Sequence, residues 1–450
     1  MRYAEDTKVS SAFFHESANV CYNAPMRKKH RKSRMAIIFI EVLAFVLVAG
    51  LSVMFIVADK TGRLSADKNP LDMSAHEALV SIDVEEIKGS NVSEQATDHN
   101  AETVDTSRYG SLLADADKCR EEHIYPKDTI SGDEVRLLFA GDVGLHEGYA
   151  ILANLKNRGG DISEGFDTAT LDLMRNADIF MVNNEFTYTT RGVPTENKQY
   201  TFRTSPENVK YLFDMGVDVV SLANNHVYDY GEVSLTDTLD TLEEVEMPYV
   251  GAGRNIAEAI KPVYFIANDT RIAIVNATQI ERNDYPDTKG ATETTPGTFR
   301  CWYDDRVCDV IREAAECSDY VVAYIHWGTE LQVETDWAQD ELAPKLAQAG
   351  ADVIIGDHPH ILQKLDYIGD VPVIYSLGNY WFNSKTMDTG LLEVTLDKDG
   401  ETEAVKFIPA IQSDSRTNMA TGGEKSRIIS YMQSISPNVV IDGDGYVTKR

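Results

Sequence analysis

Residues 353–360 read VIIGDHPH. Val353, Ile354 and Ile355 in succession have the composition of a strand buried on both faces, and the run is too short for a helix. It stops at two imidazoles, His358 and His360, whose alternating spacing on an extended segment places both rings on one side. The same arrangement recurs along the chain. LLFAGDV ends near Asp142, MVNNEF at Glu185, SLANNH at Asn225 and His226, and VVAYIHWG at His326. Apolar runs form a buried sheet, so the polar residues fall where strands give way to loops, the place where open α/β sheets hold ligands.

Working outward, VRLLFA, DIFMVN, VDVVSLA, PVYFIA, RIAIVNA, DYVVAYIHW, ADVIIGD and VPVIYSL all read as strands. Helical patterns lie between several of them. PENVKYLFDMG carries Pro at a first helical position and Gly past the end. SLTDTLDTLEEVEM places Leu235, Leu239 and Leu242 at helical spacing, and TDWAQDELAPKLAQAGA is a helix expected to kink or restart at Pro344. TGLLEVTLD and EAVKFIPA alternate as antiparallel strands. The expectation is an α/β domain of the α+β type over 134–412, with sheets between helices. An extension, 413–450, adds one helix and a final strand packed on it.

The formal net charge is −30, unevenly distributed. Residues 1–34 carry eight Lys/Arg against three Asp/Glu and read as a basic cytoplasmic tail. Residues 35–58, MAIIFIEVLAFVLVAGLSVMFIVA, hold one ionisable group, Glu41. As a helix this run is roughly 36 Å long, enough for a hydrocarbon core of ~30 Å. The basic stretch before it keeps the N-terminus in the cytoplasm and sends the rest outside the cell. Residues 59–133 are acidic, rich in Ser and Ala and without apolar periodicity, the composition of a disordered stalk. Such an acidic body repels nucleic acid, so none is expected as a partner. No CxxC or Cys/His spacing points to thiolate metal binding, and no GxxxxGK[ST] loop is present for ATP.

Carboxylates bind hard cations through oxygen, and one carboxylate with two oxygens can bridge two ions. Imidazoles and an amide oxygen complete a mixed N/O set that suits one or two divalent ions of Zn, Mn or Fe. Asp142, Glu185, Asn225, His326, His358 and His360 are therefore the metal-ligand candidates. His226 offers a further imidazole or a proton. Arg203, Gln363 and Asn379 are weaker candidates for contacting an anionic substrate. His146 is read as structural, and Asp229 and Tyr230 as orienting their loop.

GDV at 141–143, NNEF at 183–186, SLANNHVYDYG at 221–231, HWGTE at 326–330, GDHPHILQ at 356–363 and YSLGNYWF at 375–382 occur in order. With these motifs, residues 136–411 resemble the capsule-synthesis protein CapA family, the poly-γ-glutamate synthesis proteins, a branch similar to calcineurin-like metallophosphatases. The resemblance implies a four-layer αββα sandwich with metals at the strand ends. It implies Glu185 as the bridging ligand and His226 as the proton donor to a leaving group. One departure stands out. The phosphatase pattern has Asp-x-His at the first strand, whereas Val143 and Gly144 follow Asp142 here and His146 is four residues on.

Two readings stay open. One is a membrane-anchored, extracellular, metal-dependent hydrolase or transferase acting on a phosphoester or an amide-linked polymer in capsule or poly-γ-glutamate synthesis. The other is a non-catalytic accessory subunit that binds or guides the polymer for a membrane synthetase.

Overall fold

The computed structural model describes residues 108–450, apart from 131, 281–288 and 303. The basic tail, the apolar segment 35–58 and the stalk up to residue 107 lie outside the described residues. Among the described residues no helix is long and apolar enough to cross a membrane.

Two large sheets form the body. In chain order their strands begin with β1 (Ile124–Pro126), β2 (Val135–Val143), β3 (Ile179–Asn184), β4 (Val219–Ser221) and β5 (Tyr249–Val250). Next come β6 (Val263–Ala267), β7 (Thr270–Thr278), β8 (Tyr320–His326), β9 (Val353–Asp357), β10 (Leu365–Ile368) and β11 (Val371–Ile374). The last four are β12 (Asn379–Trp381), β13 (Met387–Leu396), β14 (Thr402–Ser413) and β15 (Arg416–Met419). One sheet runs β15-β14-β13-β2-β3-β4-β5, with β12 extending the β2 edge; the other runs β1-β6-β7-β8-β9-β11-β10. Each has a parallel centre, β2 to β5 in the first and β7, β8, β9 and β11 in the second. Antiparallel strands close the sides.

Alternation along each strand sorts the side chains into three cores. Leu137 and Phe139 of β2, with Met181, meet Ile274, Tyr324 and Ile355 between the sheets. Leu138, Phe180 and Val220 face the other way, onto α1 (Ala150–Asn157), α2 (Thr168–Arg175), α3 (Lys210–Met215) and α4 (Glu232–Glu244) through Leu152, Met174, Leu212 and Leu239. Val275, Ala323 and Ile354 of the second sheet face Val307 and Ile311 of α5 (Asp304–Cys317) and Leu342 and Leu346 of α6 (Trp337–Ala349). The layers are helix, sheet, sheet, helix. Both faces of every central strand are covered, which is why the runs are continuously apolar rather than alternating. Each such side chain contributes about 1.5–3 kcal/mol on burial.

Three expectations need correction. Residues 108–133, assigned to the stalk, are folded: two short helices, Gly110–Leu113 and Ala116–Glu121, precede β1, which pairs with β6. Only Tyr109, Cys119 and Ile124 of this segment are anchored in the outer core, too few and too scattered to show as a period. The α6 helix runs unbroken from Trp337 to Ala349 through Pro344, started by a capping box between Asp336 and Gln339. The C-terminal segment adds α7 (Gly422–Ile435) and a hairpin of Val439–Ile441 with Val447–Lys449, where one strand was expected. Ile428, Met432, Val439 and Val447 belong to the core between the sheets, so this extension is part of the sandwich.

Four parallel strands are headed by an aspartate used in the same way. Asp178, just before β3, accepts from the Arg136 amide of β2 at 2.7 Å and from the Ile130 amide at 2.6 Å. Asp218, before β4, accepts from Phe180 of β3 at 2.8 Å, and Asp319, before β8, from Arg271 of β7 at 2.9 Å. Asp352, before β9, accepts from Val321 of β8 at 2.9 Å. In each case the donor is the second residue of the neighbouring strand. These carboxylates satisfy amides at the N-terminal ends of the ladders, where no further strand residue supplies a carbonyl.

Candidate metal centre

At the opposite, C-terminal ends the strands converge on one buried cluster. β2 delivers Asp142, β3 delivers Asn183 and, one residue past its end, Glu185; the loop after β4 delivers Asn225 and His226. From the facing sheet β8 delivers His326 and β9 delivers Asp357, followed by His358 and His360. Gly141 precedes Asp142 inside the strand and makes no turn. A Cβ there would lie 2.0 Å from the Gly378 carbonyl oxygen, so the glycine admits the backbone that leads into β12. Tyr324 ties the sheets together at this end, donating from its hydroxyl to the Ala140 carbonyl at 2.7 Å.

The histidine loop is not extended. His358 has φ 91° and His360 φ 59°, both in the region that β-carbons disfavour. The two rings converge, with centroids 5.8 Å apart, because the backbone turns through left-handed geometry rather than by strand alternation. Strain of this kind is held where surrounding contacts over-determine it, commonly at functional sites.

Three groups of ligand atoms lie within 4.8 Å of one another: Glu185 with His326 and His358; Asp142 with Glu185 and His360; and Asp142 with His326 and Asp357. Glu185 is shared by the first two. Asn225 Oδ1 lies 2.9 Å from His326 Nε2. All six ligand candidates are thus brought together. Asn183 links them, its amide donating to Asp142 Oδ1 at 3.0 Å and Glu185 Oε2 at 3.2 Å. Its own carbonyl oxygen accepts from Ser221 at 2.9 Å and Asn224 at 3.0 Å.

Several buried polar atoms here have no hydrogen-bond partner: Glu185 Oε1, His358 Nδ1 and Asp357 Oδ2. Leaving such atoms unpaired costs about 1–3 kcal/mol each, and more for a charge. Burial pushes the Glu185 carboxyl well above the usual range, and Asp142 and Asp357 push it further. Burial likewise lifts Asp357 to about 6, against the pull of His326. Burial opposes the charged form of Asp142 too, but the His360 hydrogen bond outweighs it and holds that carboxyl below its ordinary value. His358 is pushed well down by burial, with the neighbouring imidazoles adding to the effect. Three carboxylates and three imidazoles with bare lone pairs, enclosed together, are what a divalent cation would stabilise. The donors fit Zn, Mn or Fe.

His226 stands beside this cluster. Its Nδ1 is 2.7 Å from Asp229 Oδ2, and its Nε2 lies 3.8 Å from Glu185 Oε1. Asp229 also accepts from the Phe202 amide at 2.6 Å and from Lys198 at 2.6 Å. Burial lifts its carboxyl to about 7, partly offset by Lys198. The Phe202 ring stacks on His226 with centroids 4.3 Å apart, and on its other side against His146 at 3.9 Å. His146 is therefore buried in an aromatic stack and belongs to none of the three groups among the described residues.

The weaker candidates separate. Asn379 Oδ1 lies 2.9 Å from His360 Nδ1, because β12 pairs Asn379 with Asp142. Gln363 is fully buried, accepting from Gln339 at 2.8 Å and donating to the Gln332 carbonyl at 2.9 Å, so its amide braces the loop before α6. Arg203 is half-buried with its guanidinium 4.3 Å over the Tyr230 ring. Sequence reasoning passed over Asp357, Asn183 and Lys198. Asp357 sits within the GDHPH motif, and Asn183 two residues before Glu185, so proximity to a candidate was their only signal. Lys198 lies in a polar loop with none.

A model of the bacterial capsule synthesis protein PGA_cap matches residues 136–384, more than half of the chain. The chain belongs to that family. It is 34% identical over 209 residues to the PGA biosynthesis protein CapA of Bacillus subtilis (strain 168), covering 45% of this chain and 53% of that one. With the capsule biosynthesis protein CapA of Bacillus anthracis it shares 32% identity over 240 residues, 52% of this chain and 57% of the other. A probable polyglutamine synthesis accessory protein of Mycobacterium tuberculosis is 27% identical over 209 residues, 45% of this chain and 55% of its own. The chain thus spans about half the length of the curated relatives it matches. Among solved structures, the 5'-nucleotidase from Candida albicans aligns over 61% of this chain and 54% of its own, at 11% identity and a TM-score of 0.34, too distant to bear on the site.

Proposed function

We propose that this family member carries a divalent-metal centre for hydrolysis or transfer on a phosphoester or an amide-linked anionic polymer, in the synthesis of a capsular or poly-γ-glutamate type product. The observation that carries this reading is the buried set of ligand groups sharing Glu185, with unpartnered donor atoms beside a His226–Asp229 pair. In this reading Asp142, Glu185 and His360 hold one cation, and Glu185, His326 and His358 hold another, with Asn225 beside the second. Cations so held supply Lewis acidity toward a phosphoryl or carbonyl oxygen and toward water. Asp229 fixes the His226 ring through Nδ1, leaving Nε2 on the Glu185 side to give a proton to a leaving group. Phe202 covers one face of that ring and keeps water from it. Asp357 turns His326 toward the centre through Nδ1, at 3.0 Å.

The same proposal places the domain outside the cell on a single anchor at 35–58, supported by the length of that apolar run and the basic stretch before it. A membrane synthetase is the expected partner, since the chain shows no ATP-binding loop of its own.

The test uses the full-length chain in detergent. Elemental analysis after Mn loading should find bound metal, and a generic phosphodiester should turn over. His226→Gln should lower turnover by about 10²-fold while leaving metal content unchanged. A protein that takes up no metal defeats the reading. A metal-loaded protein that retains polymer without turnover selects the accessory role, which the printed name of the mycobacterial relative favours.

A further inference from the structure

The two ligand groups that share Glu185 are not equivalent before any cation arrives. In the Glu185–His326–His358 group, Glu185 Oε1 and His358 Nδ1 have no partner within the protein. A cation there meets donor atoms with no hydrogen bond to surrender. In the Asp142–Glu185–His360 group both oxygens of Asp142 are engaged, Oδ1 by Asn183 at 3.0 Å and Oδ2 by His360 Nδ1 at 2.9 Å. His360 Nδ1 is also 2.9 Å from Asn379 Oδ1. Whichever ring nitrogen His360 offers, a cation at this position must take its share of Asp142 from an existing internal bond.

A second observation points the same way. His146, the further imidazole nearest Asp142 in sequence, is stacked 3.9 Å from the Phe202 ring and is outside every ligand group among the described residues. The Asp142 side therefore has one imidazole, and the other side has two.

We propose that the centre loads unequally. A tight cation sits at Glu185, His326 and His358, and an exchangeable one at Asp142, Glu185 and His360, whose affinity is set by Asn379. This rests on the metal-centre reading above and adds a regulation to it: the second position fills only when free divalent metal is plentiful. Asn379 is a positioning residue in this scheme, acting through His360. Its register opposite Asp142 keeps it beside that position alone.

The experiment is a titration of the metal-stripped full-length chain with Mn, read by calorimetry and by equilibrium dialysis with elemental analysis. The expected isotherm has two phases, the second weaker by roughly 10–100-fold, the scale on which ligand surroundings alter affinity. His360→Ala should remove the second phase and keep the first, whereas His358→Ala should abolish the tight phase. Asn379→Asp adds a carboxylate beside His360 and should tighten the second phase at least about tenfold without moving the first. Two equal phases, or loss of the tight phase in His360→Ala, overturn the inequality while leaving the metal centre standing. No binding at all overturns the centre itself. Should Asn379→Asp fail to fold, the wild-type isotherm and His360→Ala still decide.

Discussion

At the N-terminal ends of the parallel strands, Asp178, Asp218, Asp319 and Asp352 each accept an amide from the neighbouring strand. At the C-terminal ends of the same strands, Asp142, Glu185 and Asp357 crowd together with two of their oxygens bare. One residue type, at two ends of one sandwich, serves opposite purposes. Where a carboxylate completes a hydrogen-bond ladder it stabilises the fold. Where several are buried together without partners they destabilise it, and such an arrangement persists when something else depends on it. Four substitutions or titrations sharpen this contrast.

The largest effect belongs to the C-terminal end. The double change His358→Ala with His360→Ala should lower metal affinity by at least about 100-fold, since it removes an imidazole from each group that shares Glu185. Circular dichroism should show the fold intact, because neither ring belongs to a hydrophobic core. Full metal occupancy in this variant would falsify the site assignment.

Next in size is Asp178→Ala. It strands two backbone amides, of Ile130 and Arg136, and should cost about 2–3 kcal/mol by denaturant unfolding. Metal stoichiometry should not change. Equal loss of metal would show that the two ends are not independent.

Glu185→Gln should do the reverse. It keeps the shape, removes a buried charge from beside Asp142 and Asp357, and should stabilise the metal-free protein by about 1 kcal/mol while abolishing tight metal binding. A metal-free protein less stable than wild type would mean that Glu185 is held there for the fold.

The smallest effect lies away from both ends. Burial, reinforced by Lys261, depresses His123 to about 4. Its folded value is below the unfolded one, so the unfolded chain binds the proton first. Stability is full above about pH 6.5 and is lost as pH falls toward 4. Allowing for partial exposure, the loss is about 1 kcal/mol, and His123→Gln should flatten that part of the pH–stability curve. An unchanged curve would assign acid sensitivity to the carboxylates at the C-terminal ends.

Much of this contrast was legible in the chain. The apolar runs gave the central strands because burial on both faces demands continuous Val, Ile and Leu. The six ligand candidates were found because each closes such a run. Asp357 and Asn183 were missed because they look like members of their motifs, and nothing in a linear pattern distinguishes a ligand from the residue that aims it. The strand-heading aspartates stood in plain sight in DIFMVN, VDVVSLA, DYVVAYIHW and ADVIIGD. Their role needed the identity of the neighbouring strand, a long-range fact. Gln363 shows the converse, a polar residue near the motif whose bonds are all spent bracing a loop.

The sequence by itself determined the layered α/β plan, the strand ends at which chemistry would gather, and the acidity of the whole, since these depend on local composition and period. Only the tertiary structure decided which donor atoms are left bare, that His146 is turned away against Phe202, and that the histidine loop bends through left-handed backbone. Those outcomes depend on which side chains meet across two sheets, and the spacing of residues along a chain does not encode the competition for each hydrogen bond.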